Sequence, residues 1–318
     1  MVGECAWRPR RRLATVVLSV LMSINTPTAH GIDCAGTATG LVPLIDLGSN
    51  EYEGQPDGLY PGGSNEIPTQ YLKSGLEQAQ AIAPRDSDGA SDPHGRIGLV
   101  SIGVSNTRAE FGRFIELAQS NKRLNPALVI VNGAKGSRAL DEWAIGPDAN
   151  PRRNLDEDFQ RWGLSAPQVQ VAWIKAPDRT RGAVSIDDLS LENERLSAVL
   201  DTMAGKFLNL ALAFLSSRIY AGYGDADTEE PKAHQHGFTV KSLVEDYIGG
   251  GAIGGRNEQT LDRVGGRICG PTGHECEATS WYECSDFEDG AIHPPAGASD
   301  KIARLLLTHF QTHPTTSS

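Results

Sequence analysis

Apolar and polar positions fall into blocks along this chain, and the period changes from block to block. Arg96–Ile102 is a compact apolar run that stops at Gly103, the pattern of a buried strand. Thr107–Ser120 has helical spacing instead, with Phe111, Phe114, Ile115 and Ala118 on one face. Leu128–Val131 predicts a second buried strand, ending at Asn132-Gly133, and Ala139–Ile145 a short helix. Gln168–Ile174 predicts a third strand. Leu189–Phe207 predicts a helix with acidic residues near its start, where the helix dipole favours them. The apolar run Leu208–Leu215 follows directly and predicts a fourth strand. Phe238–Tyr247 and Ser299–Phe310 predict two more helices, the last with Ile302, Leu305, Leu306 and Phe310 at helical spacing. Residues 32–94 are punctuated by Gly, Pro, Asp and Ser and predict a loop-rich extension holding one short helix, Leu72–Ala83. Gly249–Gly273 reads as an irregular Gly-rich surface loop.

Buried strands alternating with amphipathic helices predict an α/β fold: a parallel sheet covered on both faces, three layers in all. There is no internal repeat and no second core, so residues 32–318 are expected to form a single domain. In such folds ligands bind beyond the carboxyl ends of the strands. The residues just after each strand are therefore the ones to search for chemistry.

The start of the chain follows a different logic. Arg8, Arg10, Arg11 and Arg12 form a basic segment, followed by an apolar run from Leu13 to Ile24. That run suits a signal peptide and is too short to span a bilayer. Residues 1–31 are expected to be removed at Ala29-His30-Gly31, leaving a secreted or periplasmic protein with no membrane attachment. The chain carries a net charge of −11; the four Arg and one Glu of residues 1–31 contribute +3, so the remainder carries −14. Such an acidic surface disfavours nucleic acid as a partner. Outside the signal segment the cysteines are Cys34, Cys269, Cys276 and Cys284, an even number that suits disulfides in an oxidising compartment. Three pairings are open, and the short Cys269–Cys276 loop favours that pair together with Cys34–Cys284. His274 stands near Cys276, but the spacings match no standard zinc pattern, and His234-x-His236 is isolated. Asp225–Glu230 lacks the ligand alternation and Gly of a calcium loop. No metal and no cofactor is expected.

Three strand ends and one loop carry the candidate chemistry. Ser105 and Asn106 follow the first strand, on a strand-to-helix turn where helix N–H groups point outward. A serine is a weak nucleophile until a base takes its proton. His293 supplies the candidate base, in an acidic loop that holds Asp286 and Asp289 and stands just before the last helix. After the second strand come Asn132 and a flexible turn in which Gly136 can bring its N–H to a reacting carbonyl. After the fourth strand, Arg218 can clamp an anionic group or brace the acidic loop, and Tyr220, Tyr223 and Tyr60 can stack on a sugar or pack as ordinary aromatics.

This order of Ser, Gly and His blocks resembles the SGNH (GDSL-type) hydrolases and, more closely, secreted bacterial SGNH-like proteins. The resemblance spans nearly the whole chain after residue 31. It is carried by Gly58-Leu59-Tyr60-Pro61-Gly62-Gly63, Ile102-Gly103-Val104-Ser105-Asn106, Val129-Ile130-Val131-Asn132-Gly133-Ala134, Gln168–Lys175, Leu215–Tyr223 and Cys284–His293. It implies a flavodoxin-like α/β/α domain and ester hydrolysis through a Ser-His-Asp arrangement, possible substrates being small esters or acyl and acetyl groups on a carbohydrate. On that reading Ser105 is the nucleophile, His293 the base and Asp289 the acid, with Asp286 in reserve. The Ser105 and Gly136 N–H groups line the oxyanion hole, and Asn106, Asn132, Arg218 and Tyr220 are the candidate substrate-binding residues. Two positions depart from the pattern. Lys175 stands where an Asn oxyanion donor is usual, and can either donate in its place or mark a different activity; Gly290 stands where the acid is usual, one residue after Asp289. These departures motivate the alternative of a catalytically impaired domain that binds carbohydrate or cell-wall fragments.

Overall fold

The computed structural model describes residues 51–56, 58–144, 150–178, 189–217, 232–250, 267–268, 281–282, 286 and 293–316. Residues 1–31, expected to be a signal peptide, all four downstream cysteines, Arg218, Tyr220, Tyr223, Asp289 and most of the Gly-rich stretch lie outside them. In chain order the elements are β1 (Glu51–Tyr52), β2 (Gln55–Pro56), α1 (Thr69–Gln80), β3 (Ile97–Gly103), α2 (Ser105–Gln119), β4 (Leu128–Val131), α3 (Leu140–Ala144) and α4 (Asn150–Trp162). They continue with β5 (Val169–Lys175), α5 (Ser190–Lys206), β6 (Leu212–Leu215), α6 (Lys232–Ile248), β7 (Arg267–Ile268), β8 (Trp281–Tyr282) and α7 (Ala296–Thr312).

Four strands form one parallel sheet in the order β4-β3-β5-β6. Numbered by their own sequence this is 2-1-3-4, the order of flavodoxin-like doubly wound sheets. β3 and β5 are buried at every position, as strands covered on both faces must be. Their side chains alternate between two cores. Val100, Ile102 and Ile174 pack against α3, α4, α5 and α6 through Trp143, Phe159, Leu200 and Leu243. Leu99, Val171 and Trp173 pack on the other face against α2 and α7 through Phe111, Phe114, Ile302 and Leu306. Trp173 stacks on Phe111 with ring centroids 5.6 Å apart, and its indole N–H donates to Ser216 Oγ at 2.8 Å. Each fully buried side chain of this size contributes about 1.5–3 kcal/mol.

The chain leaves β3 toward α2 on one face and leaves β5 toward α5 on the other, so the sheet divides between these two carboxyl ends. That division opens a crevice where β3 meets the following helix.

Three stretches differ from the sequence reading. Residues 208–211 are a turn and coil rather than strand, and Leu208 is 60% exposed: the chain reverses after α5 before it can join the sheet. α6 begins six residues before the expected Phe238. α4 has no counterpart in the sequence reading. Tyr60 is buried against Tyr71, so it offers no face to a sugar.

His234 on α6 packs edge-on against both Tyr52 and Phe238, at 4.6 and 5.4 Å, and those two rings stack on each other. Burial pushes its pKa down from 6.5 to about 4. The unfolded chain takes up this proton near pH 6.5 and the folded chain only near pH 4. Stability is therefore expected to fall as the pH drops through that window and to level off below it, by at most about 3 kcal/mol before solvent screening reduces it. Urea midpoints across pH 4–7 check this, and His234→Phe is expected to remove that part of the slope.

Candidate active site

Ser105 is the first residue of α2 and directly follows the end of β3. Two features fix it there. Gly103 has φ +154°, and a Cβ at that position would lie 2.1 Å from the Lys175 carbonyl oxygen, so β3 and β5 approach as only glycine permits. Thr107 then stitches the turn: its Oγ1 donates to the Lys175 carbonyl at 2.6 Å and accepts the Val104 N–H at 3.3 Å. As the first helical residue, Ser105 presents an N–H with no acceptor inside the helix.

His293 reaches this point from a sequence distance of 188 residues, and its Nε2 lies 2.9 Å from Ser105 Oγ. The two side chains meet because their helices pack together. α7 lies on α2 with Phe114 against Phe310 and with small residues, Ala298 and Ala303, at the contact. Arg113 of α2 clamps both carboxylate oxygens of Asp300 on α7. That pairing raises the Arg113 pKa and lowers that of Asp300, each chiefly through their shared hydrogen bond. Pro294 and Pro295 join His293 to α7 and restrict the backbone between them.

Among the described residues, no carboxylate is hydrogen-bonded to the other ring nitrogen of His293. Asp286, the reserve acid, instead accepts a hydrogen bond from Lys301 Nζ on α7. Asp289 lies outside the described residues.

One expected role is corrected. Lys175 does not reach into the crevice. It is 2% exposed, and its ammonium sits 2.8 Å from each carboxylate oxygen of Glu110, a fully buried residue of α2. Its side chain shares the sheet face of Trp173, two residues earlier, and so points under α2. Asn132, expected to hold substrate, lines the same groove as Ser105 and is held by its own amide: Oδ1 accepts from Ser101 Oγ at 3.0 Å and Nδ2 donates to the Arg108 carbonyl at 2.7 Å. Asn106 is 8% exposed beside Ser105, and its Oδ1 has no hydrogen-bond partner among the described residues.

Gly136 is exposed and lines the same groove as Ser105. The Lys135 N–H donates to the Gly103 carbonyl at 2.9 Å, which draws this turn to the end of β3. Among the described residues nothing accepts the Gly136 N–H. The groove, about 480 Å³, continues along α2 past Arg108, Gly112 and Arg113. The Arg108 position was not anticipated, although it stands one helical turn from Ser105 and so shares its face.

No family model matches the chain, and no curated protein matches it. Solved structures similar to it include a salicylyl-acyltransferase, SsfX3, from a tetracycline biosynthetic pathway, at 15% identity and TM-score 0.38, covering 71% of this chain. This chain spans 58% of the length of that protein. The lipopolysaccharide acetyltransferase periplasmic domain of Salmonella ser. Paratyphi A is similar at 14% identity and TM-score 0.40, covering 75% of this chain and 95% of that one. An acetyl xylan esterase from Geobacillus stearothermophilus is similar at 14% identity and TM-score 0.38, covering 67% and 93%.

Proposed function

We propose that this chain is an exported serine esterase of SGNH type, with Ser105 as nucleophile and His293 as base. The observation that carries this reading is the 2.9 Å approach of Ser105 Oγ to His293 Nε2 at the N-terminus of α2. Ser105 Oγ attacks the ester carbonyl carbon while its proton passes to His293 Nε2. The carbonyl oxygen becomes an oxyanion that accepts hydrogen bonds from the Ser105 and Gly136 N–H groups. Collapse breaks the ester C–O bond, and the imidazolium returns the proton to the leaving alcohol. A water, deprotonated by His293, then attacks the acyl-serine, and Ser105 recovers its proton. Asp289 is the candidate acid behind His293. Substrates are esters, with acyl or acetyl groups on a carbohydrate in keeping with an exported location.

A fluorophosphonate probe with mass-spectrometric mapping tests the nucleophile. One adduct per chain at Ser105 is expected, with labelling at least about tenfold slower in His293→Ala, since general-base assistance is worth 10²–10⁴-fold. A folded protein that takes no label overturns the esterase reading in favour of the binding-protein alternative, whose motivation is the pair of departures at Lys175 and Gly290.

A further inference from the structure

The groove beyond Ser105 is unequally charged. Its wall carries Arg108 one helical turn from Ser105, and Arg113 and Glu116 further along. Arg113 is occupied by Asp300 and Glu116, Lys135 on the neighbouring turn by Asp158, and Arg138 by Glu142. Arg108 is exposed, and among the described residues no carboxylate pairs with it. Its backbone is held by the Asn132 amide at 2.7 Å, so its base is fixed while its guanidinium is open to the groove. The rest of the lining includes the small residues Ala109, Gly112 and Gly136. Positive charge thus lies near the serine, with the acidic Glu116 toward the far end.

Cβ atoms three residues apart on a helix are about 5–6 Å apart. A guanidinium on that site reaches a group a few bonds away from a carbonyl held at Ser105 Oγ, and its planar fork matches a carboxylate or sulfate bidentately. The surrounding chain is strongly acidic, with a net charge of −11, which disfavours polyanions and leaves room for a single charge neutralised locally.

We infer that Arg108 is a specificity-determining residue, and that the preferred ester carries one anionic oxyacid group a few bonds from the scissile carbonyl. This rests on the esterase reading above and names its substrate class. The anion is recognised as such, whether it belongs to the acyl part or to a sugar acid on the alcohol side.

The test compares mono-p-nitrophenyl glutarate with p-nitrophenyl valerate, its uncharged counterpart, on the mature protein and on Arg108→Gln and Arg108→Lys. Phenyl acetate against its carboxymethyl-bearing phenol ester places the charge on the alcohol side instead. In the native protein kcat/KM is expected to favour the charged member of at least one pair. In Arg108→Gln that ratio falls about ten- to hundredfold, mainly through KM, the range of one charge-assisted hydrogen-bonded contact. Arg108→Lys recovers part of it, and raised NaCl lowers the native ratio. Turnover of the neutral esters with no preference for either charged member, or a ratio unchanged in Arg108→Gln, overturns the inference and leaves the esterase reading intact. Turnover of no ester, with no fluorophosphonate adduct at Ser105, overturns both.

Discussion

Ser105→Ala is expected to lower kcat/KM for p-nitrophenyl acetate by about 10⁴-fold or more while leaving the fold intact. The size follows from the proposed mechanism, in which a nucleophile and its base act as a unit: without Oγ no acyl-enzyme would form, and His293 would have no proton to accept. On that mechanism the polarising effect of the Ser105 and Gly136 N–H groups would survive, because alanine keeps the backbone amide. The fold should tolerate the change, since the Ser105 hydroxyl has its hydrogen bond with an exposed histidine and bears none of the turn's own bonds. Those belong to Thr107. Loss of one solvent-accessible hydrogen bond costs about 1 kcal/mol or less. Hydrolysis rates paired with thermal melts followed by circular dichroism make the measurement. Equal activity in both proteins would rule out Ser105 as the nucleophile.

Lys175→Met is expected to act on stability instead, at about 3–5 kcal/mol, which is the usual cost of breaking one side of a buried pair. The substitution leaves the carboxylate of Glu110, which has no solvent exposure, without the ammonium that contacts both its oxygens. Pairing Lys175→Met with Glu110→Leu removes both charges and is expected to recover much of the loss, because apolar replacements of buried pairs are often neutral or stabilising. Urea unfolding of the two single variants and the double variant closes the cycle. A single variant within about 0.5 kcal/mol of the native protein would show that the ion pair contributes little to stability.

The contrast between these two residues shows what the sequence makes legible. β3, β4 and β5 stand within a residue of where their apolar runs predict them, because a strand buried on both faces leaves an uninterrupted signal. α4 was hidden because it buries only a thin stripe, Leu155 and Phe159, in an otherwise charged segment. The first six residues of α6 were hidden by His234, His236 and Gly237. In the site, Ser105 could be found because it follows a strand and precedes a helix. A lysine at a strand end reads the same whether it faces a crevice or a core. Here strand parity held the answer: Lys175 shares the face of Trp173, and Glu110 stands among Thr107, Phe111 and Phe114 on the buried side of α2. A carboxylate on an apolar helix face calls for a buried cation, and the partner lies 65 residues away. The amide partners of Asn132, at the groove wall, could not be read, because they are a backbone carbonyl and a serine that only the folded chain brings within reach.

The close approach at Gly103 has a consequence for how this protein can change. The position of Ser105 is set by two strands touching backbone to backbone. That leaves Gly103 without a substitute: a single methyl group added there would part the two strands and displace Ser105 with them.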